Sequence, residues 1–450
     1  MNKLPFVLSL FVFPAAASAS DAEYNANSAA WNAINLSSAY EEGLSGKGVT
    51  VAVIDNGFRK THQEFTGDGK FTLIGDYAQN HGTSVASLIG AAQNDLGMQG
   101  VAYNASLLAF AAKDIGTDDY SASACLNCKT TEDILVTLKD SAYNDVKIIN
   151  ASWGGNEEDA DITAALENIP DKLFIAAAGN EMELNPNWPA LSPKSADKLK
   201  NVINVVAFDP AASKSDSSYL ASFTNLAGDA ANWTIAAPGV GIYAATETGN
   251  AEYSGDLDGT SVAAPIVSGA AALVQEKFSF LSGKQIGDVL LTTANNDFSG
   301  FSAYAEQQLT DEDGDTAYRI VYFTDNKAGE NEAVVTQDDV IKQLGLTCNE
   351  GKTSCTKDGE MYEFASITYA QAYGAGILDV GKALKGLGAL DGSRMDSAIY
   401  TLEIPEKFDV VFSNDISQRN TTEALGFEKT GEGTLTLSGK NTYKGDTSVS

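Results

Sequence analysis

Four polar side chains lie at points of the sequence where nucleophilic chemistry is feasible. Asp55 and Asn180 each follow an apolar run, His81 enters a predicted helix, and Ser261 lies just before one. Acyl transfer needs a serine, a histidine base and an orienting carboxylate, and an asparagine amide can donate to the oxyanion that forms. Singly, these residues could equally be a turn aspartate, a structural histidine, a turn asparagine and an N-cap serine. Their order along the chain, Asp, His, Asn, Ser, favours the chemical interpretation.

The surroundings of Ser261 predict a site for developing negative charge. The segment Asp258–Pro265 precedes a small-residue stretch at 266–278 that is typical of a helix. We expect Pro265 in the first turn, where its missing N–H costs little. Ser261 would then lie at the helix amino terminus, where its backbone N–H and the helix dipole favour an anion.

The hydrophobic pattern predicts the scaffold for these side chains. From Gly48 to Phe280, apolar β-branched runs alternate with helical segments, which indicates an α/β fold with a mostly parallel, doubly wound sheet. Sites in such folds form at the carboxyl ends of the strands. The apolar runs cover 49–54, 105–112, 146–149, 173–178 and 202–207, and the helical segments cover 84–92, 131–143 and 161–169.

Five motifs give the chain a resemblance to the subtilisin-like serine proteases. They are, in order, VAVIDNG around Asp55, HGTSVA around His81, NASWGG at 150–155, AAAGNE around Asn180 and GTSVAAP around Ser261. The resemblance covers most of residues 46–277 and implies the subtilisin type of α/β sheet. It departs from the usual pattern at Asn56 and Ser84.

The resemblance implies a role for each of the four polar residues. Ser261 would be the nucleophile, His81 the general base and acid, and Asp55 the group that orients His81. Asn180, with the Ser261 N–H, would form the oxyanion hole. His62, the other of the two histidines, matches a structural position and would not be the base.

The resemblance also implies where substrate binds. Ser152, Trp153 and Gly154 match the backbone strand that pairs with an extended peptide, so protein or peptide substrates are expected. Trp153 stands where a smaller apolar residue is usual, and we expect it to reshape the cleft. No cofactor is expected for catalysis.

The amino terminus predicts export, which permits disulfides. Residues 1–19 read as a signal peptide, followed by an extension at 20–46. The four cysteines allow three pairings, of which Cys125–Cys128 and Cys348–Cys355 need the least loop closure. A Cys-x-x-Cys redox site and a four-cysteine zinc site are the weaker alternatives.

The carboxyl-terminal third differs in character from the rest. We predict a peptidase domain at 47–388, interrupted by an exposed insertion at 298–369. Residues 389–450 form a linker and a first β-helix repeat, with alternating Thr and Leu between glycines. Phe412–Ile416 and Lys429–Tyr443 resemble the passenger-associated repeat of bacterial autotransporters. That resemblance implies a longer product with a β-helical stalk and an outer-membrane barrel, presented at the bacterial surface.

Charge excludes several function classes. The net charge of −31 argues against nucleic-acid partners and against contact with anionic membranes. Asp311, Asp313 and Asp315 make a structural calcium site possible, although a solvated acidic turn is the favoured interpretation, and no metal ligand is assigned.

From the resemblance and the predicted export, we expect a secreted serine endopeptidase that cleaves proteins, including itself or neighbouring surface proteins. A surface adhesin and an esterase with the same triad are the alternatives.

Overall fold

A seven-stranded parallel sheet organises the chain. The structure is a computed structural model that describes residues 21–75, 81–115, 127–310, 316–326 and 334–450. The strands follow the order β2-β3-β1-β4-β5-β6-β7. Their bounds are β1 Thr50–Asp55, β2 Phe71–Ile74, β3 Ser106–Ala111, β4 Ile148–Ala151, β5 Leu173–Ala177, β6 Val202–Phe208 and β7 Thr234–Pro238. The predicted α/β fold with a parallel sheet is confirmed.

Apolar side chains predominate in the strands because both faces of the sheet are covered. Successive side chains point to opposite faces, so Val51 and Val53 join one core cluster while Ala52 and Ile54 join the other. The larger cluster lies beneath the long helix that carries Ser261. The helices are α1 Asp21–Asn25, α2 Ser28–Ala33, α3 Ser37–Glu41, α4 His81–Gly90, α5 Thr131–Leu138, α6 Ala160–Glu167, α7 Thr260–Lys277, α8 Gly283–Thr293, α9 Gln337–Leu344, α10 Tyr369–Tyr373 and α11 Val380–Ala383.

Four short 3₁₀ segments also occur in the described ranges: Gln63–Phe65, Ser141–Tyr143, Ser192–Lys194 and Gly228–Trp233. One of them explains why α5 is shorter than the predicted helix at 131–143. Asp140 accepts a hydrogen bond of 2.9 Å from the Ala142 N–H and so caps a new turn. A side chain that bonds to nearby backbone competes with continuation of the helix.

The sheet register brings the strand ends to one level. Ile54 lies opposite Ala151, which in turn lies opposite Ala176. The strand order reverses beside β1, because β2 and β3 lie on one side of it and β4 to β7 on the other. Such a reversal opens a crevice at the carboxyl ends of the strands.

The residues before β1 pack onto the sheet domain. Trp31, Ile34 and Leu36 have no exposed surface. The Val380 N–H donates to the Ile34 carbonyl at 2.8 Å, which ties this segment to α11. The predicted signal peptide at 1–19 lies outside the described residues.

The predicted insertion contains its own five-stranded sheet, in the order β10-β11-β14-β13-β12. Its strands are β10 Tyr304–Thr310, β11 Thr316–Phe323, β12 Thr347–Cys348, β13 Ser354–Lys357 and β14 Glu360–Ile367, and they follow a hairpin of β8 Ile242–Ala245 and β9 Tyr253–Leu257. Val321 and Phe323 of β11 share a buried cluster with Phe208 of the central sheet. The insertion is therefore packed against the main domain.

Residues 389–450 form parallel ladders, consistent with a β-helix. β15 pairs with β18, β16 with β19 and β19 with β21, and β17 with β20, all in parallel. The strands are β15 Ala389–Asp391, β16 Ile399–Glu403, β17 Asp409–Phe412, β18 Ser417–Arg419, β19 Gly426–Thr430, β20 Thr434–Leu437 and β21 Thr447–Val449.

A buried ion pair joins these ladders to α8, and we expect its loss to destabilise the fold. Arg394 Nε lies 2.7 Å from Asp288 Oδ1, and the two side chains are only 4% and 5% exposed. Arg394→Met leaves the buried Asp288 carboxylate with Lys284 Nζ, 2.9 Å away, as a remaining ionic partner. We therefore expect the variant to lower the free energy of unfolding by about 2 kcal/mol in a denaturant titration. Lys194→Met breaks a pair whose partners are both 52% exposed, so it should cost less than about 1 kcal/mol. Equal losses in the two variants would contradict this account.

Candidate active site

Asp55 and His81 are hydrogen-bonded at the crevice. Asp55 ends β1, and its fully buried carboxylate accepts from the Asn56 N–H at 2.8 Å. His81 Nδ1 lies 3.0 Å from Asp55 Oδ1 and 3.2 Å from Oδ2. A carboxylate at Nδ1 holds the proton on that nitrogen and leaves Nε2 as a proton acceptor.

A hydrogen bond to Asn56 and close packing at Gly82 hold His81 at the start of α4. The His81 N–H donates to Asn56 Oδ1 at 3.2 Å, so Asn56 caps the helix. The next residue must be glycine, since a Cβ at Gly82 would lie 2.5 Å from the Phe58 ring and 2.8 Å from Asp55 Cβ. Asn56, a departure from the usual family pattern, thus helps to position the histidine.

The electrostatic environment favours the charged form of His81. The negative charge of Asp55 is the largest cause that raises the pKa of His81. Burial of the ring lowers this pKa by less, while the hydrogen bond to Asp55 and the charge of Glu247 raise it further. The His81 side chain still keeps 43% of its surface exposed, so a substrate can reach it.

Ser261 and Asn180 converge on Gly259. A Cβ built on Gly259 would lie 3.0 Å from Ser261 Oγ, 3.6 Å from the Ser261 backbone N and 3.6 Å from Asn180 Nδ2. Gly259 has φ +147°, which other residues rarely adopt, so this space stays open. The Ser261 hydroxyl, the Ser261 backbone nitrogen and Asn180 Nδ2 therefore all lie within 4 Å of one point beside Gly259.

The orientation of Asn180 follows from its contacts with Thr260. Asn180 Oδ1 accepts from the Thr260 N–H at 2.8 Å and from the Thr260 hydroxyl at 3.0 Å. Since the oxygen is engaged there, Nδ2 points towards Gly259. Within the described part of the chain, Nδ2 has no acceptor of its own.

Pro265 does not lie where the sequence predicted it. Helix α7 begins at Thr260, so Ser261 is in the first turn but Pro265 is inside the helix. The helix starts earlier than predicted because Gly259 and Asn180 organise its amino terminus. The missing N–H of Pro265 leaves the Ser261 carbonyl without its i+4 donor.

The predicted substrate segment leaves β4 at the same edge. Gly155 exchanges backbone hydrogen bonds of 2.8 and 2.9 Å with Trp188, so the N–H and the carbonyl of Gly155 are already paired. Gly154 is exposed, and its peptide groups have no backbone partner among the described residues. Ser152 is 5% exposed, and its hydroxyl accepts from Asn150 Nδ2 at 3.0 Å.

The Trp153 indole lies beneath the sheet edge. Its Nε1–H donates to the Ile54 carbonyl at 2.9 Å, and its ring contacts Phe174 edge to face at 6.3 Å. This hydrogen bond ties the segment to the residue before Asp55. The predicted influence of Trp153 on the cleft would thus act through strand β1.

A buried amide network supports the loop of Asn180, and sequence reasoning assigned it no role. Asn225 is fully buried and its Oδ1 accepts from the Glu181 and Glu183 N–H groups, both at 2.9 Å. Glu181 Oε2 accepts from the Asn180 N–H at 2.8 Å and from Asn187 Nδ2 at 2.9 Å. The available signal was Glu181 itself, the last residue of the AAAGNE motif.

The remaining predicted sites are structural or lie outside the described residues. His62 is fully buried and contacts the Glu64 N–H and the Glu252 carbonyl. The predicted Cys348–Cys355 disulfide is present across β12 and β13, which rules out the four-cysteine zinc site. Cys125, the predicted partner of Cys128, lies outside the described residues, as does the acidic turn at 311–315.

No metal or membrane feature is found in the described ranges. Among the residues that the structure describes, no group of three or more His, Cys, Asp or Glu side chains is arranged to hold a metal ion. No helix in these ranges has both the length and the hydropathy needed to cross a bilayer. Structural calcium stays a prediction.

Comparison with known families accounts for this arrangement. The subtilase family of peptidases matches residues 46–316, a range that contains Asp55, His81, Asn180 and Ser261. The chain belongs to the subtilase family. It is a serine endopeptidase of the subtilisin type, and residues 427–450 match the passenger-associated-transport-repeat of autotransporters.

Individual relatives extend over different parts of this subtilase. It is 26% identical to the extracellular serine protease of Serratia marcescens over 93% of this chain, but spans only 42% of that enzyme. It is 31% identical to subtilisin DY of Bacillus licheniformis, covering 57% of this chain and 86% of that protein. Among solved structures, the prenylagaramide maturation protease PagA aligns with a TM-score of 0.46 and 28% identity, over 58% of this chain and 88% of that one.

Proposed function

We propose that this subtilase hydrolyses peptide bonds through Asp55, His81 and Ser261, with Asn180 in the oxyanion hole. The observation that carries the proposal is the meeting of Ser261 Oγ, the Ser261 N–H and Asn180 Nδ2 around Gly259. The 3.0 Å contact of His81 with Asp55 at the same crevice supports it.

The residues would act in two half-reactions. Ser261 Oγ attacks the scissile carbonyl carbon while His81 Nε2 takes the hydroxyl proton, and Asp55 stabilises the resulting imidazolium. The oxygen of the tetrahedral intermediate accepts from Asn180 Nδ2 and the Ser261 N–H. His81 then protonates the leaving amine, which gives an acyl-enzyme. Water, deprotonated by His81, releases the acid and restores Ser261.

The substrate class we propose is an extended polypeptide. The free peptide groups of exposed Gly154 suit main-chain pairing with an extended chain. The passenger repeat at 427–450 supports presentation of the enzyme by an autotransporter, outside the cell. The Serratia relative is an extracellular serine protease by name, which agrees with this. Processing of itself or of other surface proteins would follow from that position.

Two assays on the same preparation test the proposed function. The full chain should be labelled by a fluorophosphonate and should hydrolyse denatured casein, because both need an activated serine and an oxyanion hole. Cleavage of activated esters without casein hydrolysis would indicate an esterase instead. Absence of labelling in a folded preparation would contradict the enzyme proposal and favour a binding module.

We expect the negative charge of Glu247 to influence the pH dependence of activity. The base form of His81 is lost as pH falls through its raised pKa, and Glu247 contributes to that rise. Glu247→Gln should therefore lower the acid-limb pKa of kcat/KM by about a few tenths of a pH unit, and added salt should shrink the shift. Glu432→Gln, which changes an exposed carboxylate in the β-helical part, should leave the limb in place. An upward shift in Glu247→Gln would contradict the assignment.

A further inference from the structure

The loop that carries Asn180 is held from outside the central sheet domain. We call residues 179–183 the oxyanion loop. Inside the domain it is fixed by Asn225, as described above. Its residue Met182 has φ +61°, a conformation that is unfavourable for a residue with a side chain. A residue in that region persists only where its surroundings hold it.

Both peptide groups of Met182 are engaged, one of them by the insertion. The Met182 N–H donates to the Phe223 carbonyl at 3.1 Å. Its carbonyl accepts from Arg319 Nη1, on strand β11 of the inserted sheet. The Arg319 side chain is 18% exposed, and Glu363 on the adjacent strand β14 binds its Nε at 2.7 Å. The carboxylate of Glu363, in the same subdomain, therefore orients the Arg319 guanidinium towards the loop.

A second residue of the inserted sheet contacts the segment around Asn225, which supports the oxyanion loop. Gln307 of β10 is fully buried, and its Nε2 donates to the Thr224 carbonyl at 3.0 Å. Thr224 directly precedes Asn225, whose Oδ1 binds two N–H groups of the oxyanion loop. The insertion thus contacts the loop directly through Arg319 and indirectly through Gln307.

We infer that the inserted subdomain positions the oxyanion hole, and that Arg319 is the positioning residue through which it acts. Arg319 holds Met182 in its left-handed conformation and so fixes the backbone two residues after Asn180. This inference rests on the proposed function, because it concerns the donor Nδ2 of Asn180. Donors stabilise a transition state only when they are already in place, so a small displacement of the loop lowers kcat.

A double-mutant cycle tests the inference. In Arg319→Met we expect kcat for a peptide amide to fall about tenfold while KM changes by less than about twofold, since only the transition state meets the hole. In an Asn180→Ala background, which should itself cost about 10²–10³ as in the corresponding subtilisin case, Arg319→Met should add less than about twofold. A purely structural role would lower activity equally in both backgrounds.

Two further variants keep the test decisive. Lys352→Met removes an exposed ion pair with Asp338 elsewhere in the insertion and should leave kcat unchanged. Should Arg319→Met fail to fold, Glu363→Ala carries the same test, because it removes the carboxylate that orients the guanidinium and leaves Arg319 in place. We expect a smaller loss of kcat that also disappears in the Asn180→Ala background.

The outcomes separate this inference from the proposed function. An unchanged kcat, a change in KM alone, or an equal loss in both backgrounds would overturn the role of the insertion, although Asn180→Ala still lowers kcat. If Asn180→Ala leaves kcat unchanged, the oxyanion-hole assignment itself is wrong and this inference is wrong with it.

Discussion

Ser261→Ala is expected to lower kcat for peptide hydrolysis on the order of a millionfold, the size measured in subtilisin when its nucleophile or base is removed rather than a value obtained for this chain. The Ser261 hydroxyl oxygen is the atom that attacks the peptide carbonyl in the proposed mechanism, and the two donors near Gly259 cannot replace it. KM should change little, because Ser261 Oγ contributes to bond formation more than to substrate binding. Residual turnover should come from binding and the oxyanion hole alone.

One matched control lies just after the helix that carries Ser261, and the other lies in the same triad. Ser279→Ala changes an exposed serine just beyond the end of α7 and should leave fluorophosphonate labelling intact. The double variant Ser261→Ala/His81→Ala should be no slower than Ser261→Ala, because residues that act as one unit are not additive. Normal biological activity in Ser261→Ala would instead indicate a binding module.

Asp55→Asn is expected to lower kcat about 10⁴-fold, the size known for the equivalent change in another serine protease with this triad. An asparagine amide opposite His81 Nδ1 donates a proton where Asp55 now accepts one at 3.0 Å. The imidazole would then carry its proton on Nε2 and could no longer accept the Ser261 proton. The ring position itself should be preserved.

The pH profile of Asp55→Asn distinguishes this cause from general damage. The charge of Asp55 is the main reason that the pKa of His81 is raised. Without that charge, the acid limb of kcat/KM should move to lower pH, so the variant keeps its residual activity in more acidic buffer. Asp161→Asn, which changes an exposed carboxylate on α6, should shift neither rate nor limb. If the acid limb of kcat/KM stays in place in Asp55→Asn, the charge of Asp55 does not raise the pKa of His81, which would contradict this account.

The amide network and the insertion support the proposed oxyanion hole from two parts of the chain. Asn225 binds the oxyanion loop from the main domain, and Glu181 of the loop binds Asn187. Arg319 binds the loop from a sheet that follows Ser261 in sequence. Rigid support of this kind keeps donors in place without reorganisation during the reaction. The inserted strands would then be part of the catalytic scaffold, and their deletion would change kcat before it changed substrate choice.

The fold class, the family resemblance and the candidate residues Asp55, His81, Asn180 and Ser261 could all be predicted from the sequence. Each of these depends on a short motif in which an apolar strand or a helix start lies beside a polar residue. Such motifs are readable because strand alternation and helix starts act over a few neighbouring residues. The cysteine pair at 348 and 355 was predictable for the same reason, since its loop is short.

Contacts between distant segments could not be predicted and are seen only in the folded chain. The start of α7 at Thr260, which moved Pro265 inside the helix, depends on Asn180, 80 residues earlier. The contact of Arg319 with Met182 joins residues 137 positions apart. A single hydrogen bond between distant segments leaves no periodic pattern in either of them, because its formation depends on how whole elements pack and not on local propensity.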